Sequence, residues 1–480
     1  MPFKNPEDEK KELTYQDVFL YPQYSEIGSR MGVDLTPSRQ LPLTIPLIVA
    51  NMNAVAGKRM TETVTRRGGL VVLPQDKTYE QIKFMVEYLK GCHPVYETPV
   101  VLKERDSVQK ALNLIHKRSH GAVLVVDSEN KPVGIFTETD AKDKDLYTPI
   151  DKVMTKNLVT MSDGADYKQV YNELVAQRLP VMPIVDSQGK LVGVLTKKGA
   201  LRAEIYKPAL NDRGEFLTCV AVGINANLEK RINALIEMRV DLIVLDTAHG
   251  HQNKMLDAIK FARSILGPDK PLMAGNVVTA QAAEDMINAG VSMLKVGVGP
   301  GAACTTRMMT GVGRPQFSAV YEVSRVAKGS GVEVCADGGC KHPRDVALAL
   351  SAGANFAMVG TWFAGTYESP ADIQISNDGR LFKENFGMAS NRAVKDRTDA
   401  LDPFAQAKKE YFVEGISRGK MYLKAGEESV EDIIDKITAG VRSSFAYAGV
   451  SNLQEFHEKV LIGVQSASGY QEGKPVEERW

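Results

Sequence analysis

A strand-like run, Val291-Ser-Met-Leu-Lys-Val-Gly-Val298, passes directly into a glycine-rich loop, Gly299-Pro-Gly-Ala-Ala-Cys304, and this order is the key to the architecture. The run is almost wholly apolar, as expected of a strand that is buried on both faces of a parallel sheet. The loop has so little side chain that its backbone can approach a ligand closely. Cys304 at its end is therefore a candidate thiolate nucleophile, and the alternative is a buried structural thiol.

Other β-rich runs flank this one, and amphipathic segments such as Leu228–Arg239 and Ala280–Ala289 follow them. This alternation predicts an α/β protein built on a (β/α)8 TIM barrel, with a doubly wound parallel sheet as the alternative. The eight runs are, in chain order, Ile45–Met52, Gly69–Gln75, Thr218–Ile224, Asp241–Ala248, Pro271–Val277, Ser292–Gly299, Val332–Gly339 and Asn355–Gly360.

The spacing is interrupted once, between the second and third runs, by a segment that repeats internally. Its stretch Val125–Thr137, with the core Val-Asp-Ser and a later Val-Gly, recurs as Ile184–Thr196. Each copy has the pattern of a strand, a polar turn and a strand, and a helical pattern precedes it. A repeat of this length predicts two similar units packed together.

The composition of the 480-residue chain is that of a globular protein with more than one core. Lys+Arg and Asp+Glu are equal at 59 each, and no basic tract stands out, so we expect neither a nucleic acid nor a membrane as partner. No apolar run approaches membrane-spanning length, and the amino terminus is polar. Five cysteines without zinc-ligand spacing fit a reducing cytoplasm.

Chemistry-bearing residues follow three neighbouring strands of the predicted barrel. The loops after such strands build the active site, and phosphate is often held after strands seven and eight. Here strand seven ends in Asp337-Gly338-Gly339 and strand eight in Gly360-Thr361. Glycine amides at both places can hold a phosphate, and a carboxylate can accept hydrogen bonds from a ribose diol. With Cys304 after strand six, the sequence predicts a nucleotide monophosphate beside a nucleophilic thiol.

At these residues the chain resembles the IMP dehydrogenase/GMP reductase family over nearly its whole length. The motifs that carry the resemblance are Gly299-Pro-Gly-x-x-Cys304-Thr-Thr306, Ala336-Asp337-Gly338-Gly339, Gly387-Met388 and Glu414-Gly415. The resemblance implies that Cys304 attacks C2 of the purine and that Asp337 binds the ribose hydroxyls. It implies further substrate contacts from Gly338, Gly339, Gly360, Thr361, Gly387, Met388, Glu414 and Gly415.

The resemblance also implies a nicotinamide cofactor near Asp246, Gly297 and Gly299, and a potassium ion on backbone carbonyls. The carbonyls that match this ion's site are those of Gly299, Gly301 and Cys304. Family phosphate loops usually have Ser where this chain has Ala302, so that one phosphate hydroxyl is missing.

The choice between the two family reactions depends on departures from both patterns. The dehydrogenase oxidises IMP with NAD and uses an Arg-Tyr pair on a flap, whereas this chain has Arg397-Thr398 within the flap predicted at about 391–412. The reductase converts GMP to IMP and ammonia with NADPH, using the threonine that matches Thr306 and a Glu that is Asn391 here. We hypothesise that Glu410 or Glu414 replaces this Glu.

The remaining differences favour the reductase. Ala274-Gly-Asn-Val-Val-Thr279 and Asp337-Gly-Gly-Cys340 are reductase-like, whereas Asp246-Thr-Ala-His-Gly-His251 is closer to the dehydrogenases. We therefore expect NADPH-dependent reduction of GMP, with IMP dehydrogenase as the alternative. A second alternative is a purine nucleotide sensor without catalysis, although such a binder would have no need of the thiol of Cys304.

The repeated segment resembles a tandem CBS-domain pair, which often binds adenine or guanine nucleotides such as ATP and GTP. Its first copy ends Thr137-Glu-Thr-Asp140, similar to the motif that holds a ribose, whereas the second ends Thr196-Lys-Lys-Gly199 and lacks the Asp. We therefore expect the better regulatory site to use Thr137 and Asp140, and the alternative is a spacer without ligand. The expected divisions are barrel 1–94, CBS pair 95–207 and barrel 208–480, in tetramers or octamers.

Overall fold

A closed barrel of eight parallel strands forms the centre of the protein, in a computed structural model that describes residues 3–225, 227–385, 404, 407–408 and 419–474. Neighbouring strands follow chain order, and the last pairs with the first. All eight predicted runs are therefore barrel strands, and the doubly wound sheet is wrong. The strands are Leu47–Val49, Leu70–Leu73, Cys219–Val222, Leu242–Asp246, Leu272–Val277, Met293–Val296, Glu333–Asp337 and Phe356–Val359.

Helices cover the outside of the barrel. Several of them begin after a polar capping residue: the hydroxyl of Thr78 accepts from the Gln81 amide, and that of Thr279 accepts from the Ala282 amide. Their apolar faces pack on the strands, and two layers of buried aliphatic side chains result, one outside and one inside the barrel. The barrel helices are Lys58–Arg66, Tyr79–Lys90, Leu228–Glu237, Asn253–Leu266, Ala280–Ala289, Gln316–Ala327, Pro343–Ser351 and Val430–Tyr447.

Smaller elements surround the barrel. Val18–Leu20 pairs with Ile462–Val464, and Leu381–Asn385 is the central strand between Gln374–Ile375 and Gly419–Tyr422. Shorter helices are Thr306–Thr310, Leu453–Lys459 and Ala467–Glu472. In the described part of the chain, no helix combines the length and the apolar character needed to cross a membrane.

The repeated segment folds as two units of the same topology. In each unit a short strand pairs in parallel with the first strand of a hairpin. The first unit contains strands Val101–Lys103, Ala122–Val126 and Pro132–Thr137 and helix Val108–Ile115. The second contains strands Met161–Ser162, Met182–Val185 and Leu191–Leu195 and helices Tyr167–Ala176 and Lys197–Ile205.

Buried ion pairs join the two units to the barrel. Glu62 on the first barrel helix contacts Arg66 of the same helix and Arg118 of the first unit, and Tyr88 donates to it. Arg67 donates to Glu97, at 3.1 Å, and to Glu431, at 2.6 Å. Burial alone raises the pKa of Glu62, but Arg118 and Arg66 outweigh burial and hold that pKa well below its usual range.

On the second unit, Arg202 extends this contact. It donates to Glu431, Asp432 and Asp435 of the helix Val430–Tyr447 at 2.7 to 3.2 Å. Because these groups are mostly buried, their mutual pairing offsets the cost of removing them from water. Buried ion pairs thus contribute, in addition to apolar contacts, to the attachment of the two units to the barrel.

Lys383 provides a pH-dependent contribution to stability. Its side chain is buried, and Nζ donates to the carbonyls of Tyr367 and Ser369, at 3.1 and 2.9 Å. Burial, assisted by Arg59, lowers its pKa to about 7. An unfolded lysine titrates near ~10.4, so the folded protein binds fewer protons and gains stability as the pH rises from about 7 to about 10.

We therefore expect the melting temperature of the wild-type protein to rise relative to that of Lys383→Met between about pH 7 and about pH 10, because the variant lacks this titrating group. Thermal unfolding at several pH values measures both, with Lys424→Met, at an exposed position, as the control. A Lys383→Met protein with the wild-type pH dependence would contradict the assignment.

Candidate active site

A large cavity opens where the barrel strands end. Its volume of about 1200 Å³ exceeds the roughly 300–1,000 Å³ that is usual for ligand pockets. The predicted residues that line it come from four strand ends: Asp246, Gly297, Gly299, Gly301, Cys304, Thr306, Asp337, Gly338, Gly339, Gly360 and Thr361. The structure therefore brings together these predicted site residues of the barrel. Gly387, Met388, Asn391, Thr398, Glu410, Glu414 and Gly415 lie outside the described residues.

Cys304 is presented by a tight turn after the sixth strand. The Gly301 carbonyl accepts from the Cys304 amide at 3.0 Å, and the thiol donates to the Thr306 hydroxyl at 3.3 Å. Only a glycine suits position 299, where φ is +85° and a Cβ would lie 2.1 Å from Cγ of Arg307. The loop composition thus has a steric cause, and it leaves the thiol exposed at the cavity.

The other thiols have no such exposure. All five cysteines lie in the described part of the chain, and only Cys304 is exposed. Burial raises the pKa of Cys219, Cys335 and Cys340 well above that of a free thiol. Those three stay protonated. Cys340 also lines the cavity, but it is half-buried, so Cys304 is the exposed thiol there.

The loops after strands seven and eight place glycines along the same cavity as Cys304. Gly338 and Gly339 have φ of +95° and +87°, and a Cβ on Gly338 would lie 3.1 Å from the Gly301 amide nitrogen. Gly360 precedes a short 3-10 helix that begins at Thr361, and its Cβ would lie 2.8 Å from Sδ of Met52. Bare glycines at close approach are the geometry that lets backbone amides contact an anion.

Lys295 lies between two carboxylates at the base of the cavity, and sequence reasoning missed it. Its Nζ is 3.0 Å from Asp246 and also contacts Asp337. Asn51 donates to Asp246 and Asn276 to Asp337, both at 2.9 Å. The sequence did contain a signal for it: a lysine within an otherwise apolar strand indicates a buried charge, and a buried lysine almost always has a charged partner.

The polar groups that line the cavity suit the ribose of a nucleotide better than they suit a metal ion bound by side chains. The described residues contain no cluster of three His, Cys, Asp or Glu side chains that could hold a metal ion. Asn276 has both amide hydrogens directed to oxygens, Gly297 at 2.6 Å and Asp337, while its buried Oδ1 has no hydrogen-bond partner among the described residues. Such an orphaned acceptor at a cavity wall fits a hydroxyl or amide donor from a bound group.

The predicted regulatory motif of the first unit forms a compact turn. Oδ2 of Asp140 accepts from both the amide and the hydroxyl of Thr137, at 2.7 and 2.8 Å. At the matching place of the second unit, a Cβ on Gly199 would lie 2.4 Å from Oε1 of Glu97. The second unit therefore has no room for an aspartate there.

Comparison with known proteins identifies the family of this chain. The family model of the IMP dehydrogenase / GMP reductase domain matches residues 12–476. A GMP reductase of Mycobacterium tuberculosis is 49% identical over 98% of both chains, and an inosine-5'-monophosphate dehydrogenase of Aquifex aeolicus is 35% identical over 96% of this chain and 95% of its own. A crystal structure of a GMP reductase variant from Trypanosoma brucei in complex with guanosine 5'-monophosphate has a TM-score of 0.67 and 30% identity over 98% of both chains. With the exposed thiol at the barrel mouth, these matches show that the chain belongs to the IMP dehydrogenase/GMP reductase family.

Proposed function

We propose that this protein reduces GMP to IMP and ammonia with NADPH. The observation that carries the proposal is the exposed Cys304 thiol on a glycine loop, facing the cavity that Asp337 and the glycines of strands seven and eight also line. A thiol in this setting can act as a nucleophile, whereas a binding site alone would not require it. The similarity of the whole chain to GMP reductases supports the same reaction.

The proposed reaction proceeds through a covalent adduct at C2 of the purine. The Cys304 thiolate forms a bond to C2 of GMP; the exocyclic nitrogen takes up one proton, its bond to C2 breaks, and it leaves as ammonia. Reduced nicotinamide bound near Asp246 would supply the hydride that C2 receives. The carbon–sulfur bond then breaks, and IMP and the Cys304 thiolate are released. One GMP, one NADPH and one proton thus give IMP, ammonia and oxidised NADP. Thr306, hydrogen-bonded to the thiol, is the described residue best placed to assist the proton movements.

The other roles belong to the same proposal. Asp337 accepts from the ribose hydroxyls, the backbone at Gly338, Gly339, Gly360 and Thr361 holds the phosphate, and Asp246 contacts the nicotinamide riboside. Gly387, Met388, Glu414 and Gly415 complete the base side. A potassium ion on the carbonyls of Gly299, Gly301 and Cys304 would share the Gly301 oxygen with the Cys304 amide.

Reductase is favoured over dehydrogenase by the degree of similarity. The GMP reductase relatives are 49% identical to this chain, and IMP dehydrogenases of comparable coverage are 34 to 36% identical. One assay distinguishes this proposal from the two alternatives, an IMP dehydrogenase and a nucleotide sensor without catalysis.

The test follows the absorbance of the reduced cofactor with purified full-length protein. We expect GMP to cause loss of NADPH and release of ammonia in equal amounts. Formation of NADH from IMP and NAD would show an IMP dehydrogenase instead. No change in absorbance in either assay would indicate a nucleotide sensor without catalysis. Assays with and without potassium determine whether the ion contributes.

We further propose that the insert, at about residues 95–207, is a CBS pair that regulates the enzyme through ATP or GTP bound at Thr137 and Asp140. Support comes from the matching topology of the two units and from the turn closed by Asp140. The same family resemblance supports a homotetramer or octamer. Sedimentation with and without nucleotide tests that assembly.

Asp140→Asn tests the regulatory site, because it keeps an acceptor for Thr137 but removes the charge. We expect half-maximal binding of ATP or GTP to require about tenfold more nucleotide, since a hydrogen bond to a charged partner is worth roughly 1.5–3 kcal/mol. Calorimetric titration measures this, with Asp145→Asn, at an exposed site of the same unit, as the control. Unchanged binding by Asp140→Asn would place the nucleotide elsewhere.

A further inference from the structure

Lys295 is a buried cation shared by two carboxylates of the cavity. Its side chain is 5% exposed, and Nζ reaches both Asp246 and Asp337 from the sixth barrel strand. Burial lowers the pKa of Lys295, but the two carboxylates outweigh burial and raise it above the ordinary value of a lysine. The Lys295 amine is therefore protonated at neutral pH, and its positive charge faces both carboxylates.

The strand pairing makes room for this side chain. Gly275 is the register neighbour of Lys295 on the fifth strand, and a Cβ there would lie 2.3 Å from the Lys295 carbonyl oxygen and 2.6 Å from its Cβ. On the other side its register neighbour is Cys335, whose pKa burial raises, so that this thiol stays neutral. The titratable groups that face Lys295 from neighbouring strands are therefore Asp246, Asp337 and the protonated Cys335.

We propose that Lys295 is a positioning residue that compensates the charges of Asp246 and Asp337 and holds the two carboxylates at a fixed distance from each other. Two carboxylates that share a site repel, and in the absence of a cation one of them tends to take up a proton. A protonated carboxyl is a poorer acceptor for a ribose hydroxyl. The inference rests on the proposed function, because that function assigns Asp337 to the nucleotide and Asp246 to the cofactor.

This arrangement connects two binding events through one side chain. Asn51 and Asn276 each hold one of the carboxylates, at 2.9 Å, whereas Lys295 holds both. Removal of either asparagine should weaken one substrate, and removal of the Lys295 charge should weaken GMP and NADPH together. That joint effect separates positioning of the pair from a local contact.

The test compares Lys295→Met, Lys295→Gln and Lys295→Arg by the KM for GMP and for NADPH between pH 6 and pH 9. We expect both neutral variants to raise each KM by about tenfold or more at pH 7. The increase should be larger at pH 6 than at pH 8.5, because the unpaired carboxylates take up a proton as the pH falls. Lys295→Arg should restore both constants to within a few-fold of wild type, since it keeps the charge.

The control is a lysine outside the cavity, and the Lys295 variants themselves give the outcomes that would contradict the proposal. Lys270→Met alters a lysine before the fifth strand, at the opposite end of the barrel, and should leave both constants unchanged. Neutral variants with wild-type constants and pH profile, or an arginine variant as impaired as they are, would overturn the role of Lys295. Calorimetric titration with GMP separates the two proposals: wild-type protein that binds GMP without oxidising NADPH overturns the proposed function, and Lys295→Gln that binds GMP as tightly as wild type overturns the positioning role.

Discussion

Replacement of Cys304 by alanine should lower the GMP-dependent oxidation of NADPH by about 10³-fold or more. The thiol forms the covalent bond to C2 in the proposed reaction, and the loss of a nucleophile removes the whole covalent route rather than one stabilising contact. The variant should still bind GMP to within a few-fold, because the ribose and phosphate contacts come from other loops. Steady-state assays and calorimetric titration with GMP measure the two effects.

The control is Cys92→Ala. Cys92 follows the second barrel helix, donates to the Tyr88 carbonyl at 3.3 Å and does not line the cavity. Burial raises its pKa to about 11, so it carries no thiolate at neutral pH. We expect this variant to keep full activity. A Cys304→Ala enzyme that retained a tenth of the wild-type turnover would contradict the proposed mechanism.

The largest stability effect should follow from Glu62→Gln. Its carboxylate is fully buried and lies between Arg66 and Arg118, so that its removal leaves two buried cations without their partner. Breaking a buried pair in this way typically costs about 3–5 kcal/mol. We expect a melting temperature at pH 7 that is lower by about 5 °C or more.

The pH dependence of this contribution has a defined sign. Because the folded protein holds the pKa of Glu62 below its usual range, its stabilisation is present at neutral pH and is lost as the pH falls below about 4.5. The control is Glu87→Gln, whose exposed carboxylate lies 3.9 Å from Lys83 and should contribute about 1 kcal/mol or less. Equal melting temperatures for the two variants would argue against the buried pair as the source of stability.

The barrel could be predicted because its strands carry their own signal. A continuous apolar run such as Met293–Val296 is what a strand buried on both faces requires, and glycines mark the loops after it. The place of Cys304 and Asp337 at one mouth followed from the rule that parallel strand ends meet at one face. These residues indicated a nucleotide monophosphate, whereas the resemblance to a known family supplied the purine base and the reaction at its C2.

The charged contacts could not be predicted in the same way. Glu62, Arg118 and Arg202 are far apart in sequence, and nothing in the sequence near each of them distinguishes it from a solvated surface charge. Only the packing of the insert against the barrel makes them partners. Lys295 is an intermediate case, because its position within an apolar strand indicated a buried charge but not which carboxylates would neutralise it.

The contact between Gly199 and Glu97 has a consequence for how a duplicated module diverges. The two copies of a repeat become unequal where a side chain fills a space in one copy and leaves the matching space of the other unfilled. Here Glu97 fills the space of a missing aspartate and is bonded to Arg67 of the barrel and to His120 of the first unit. Both copies contact the barrel through a buried arginine, so the asymmetry of the insert lies in the turn itself: Asp140 closes it in the first copy, whereas Glu97 occupies the matching space in the second.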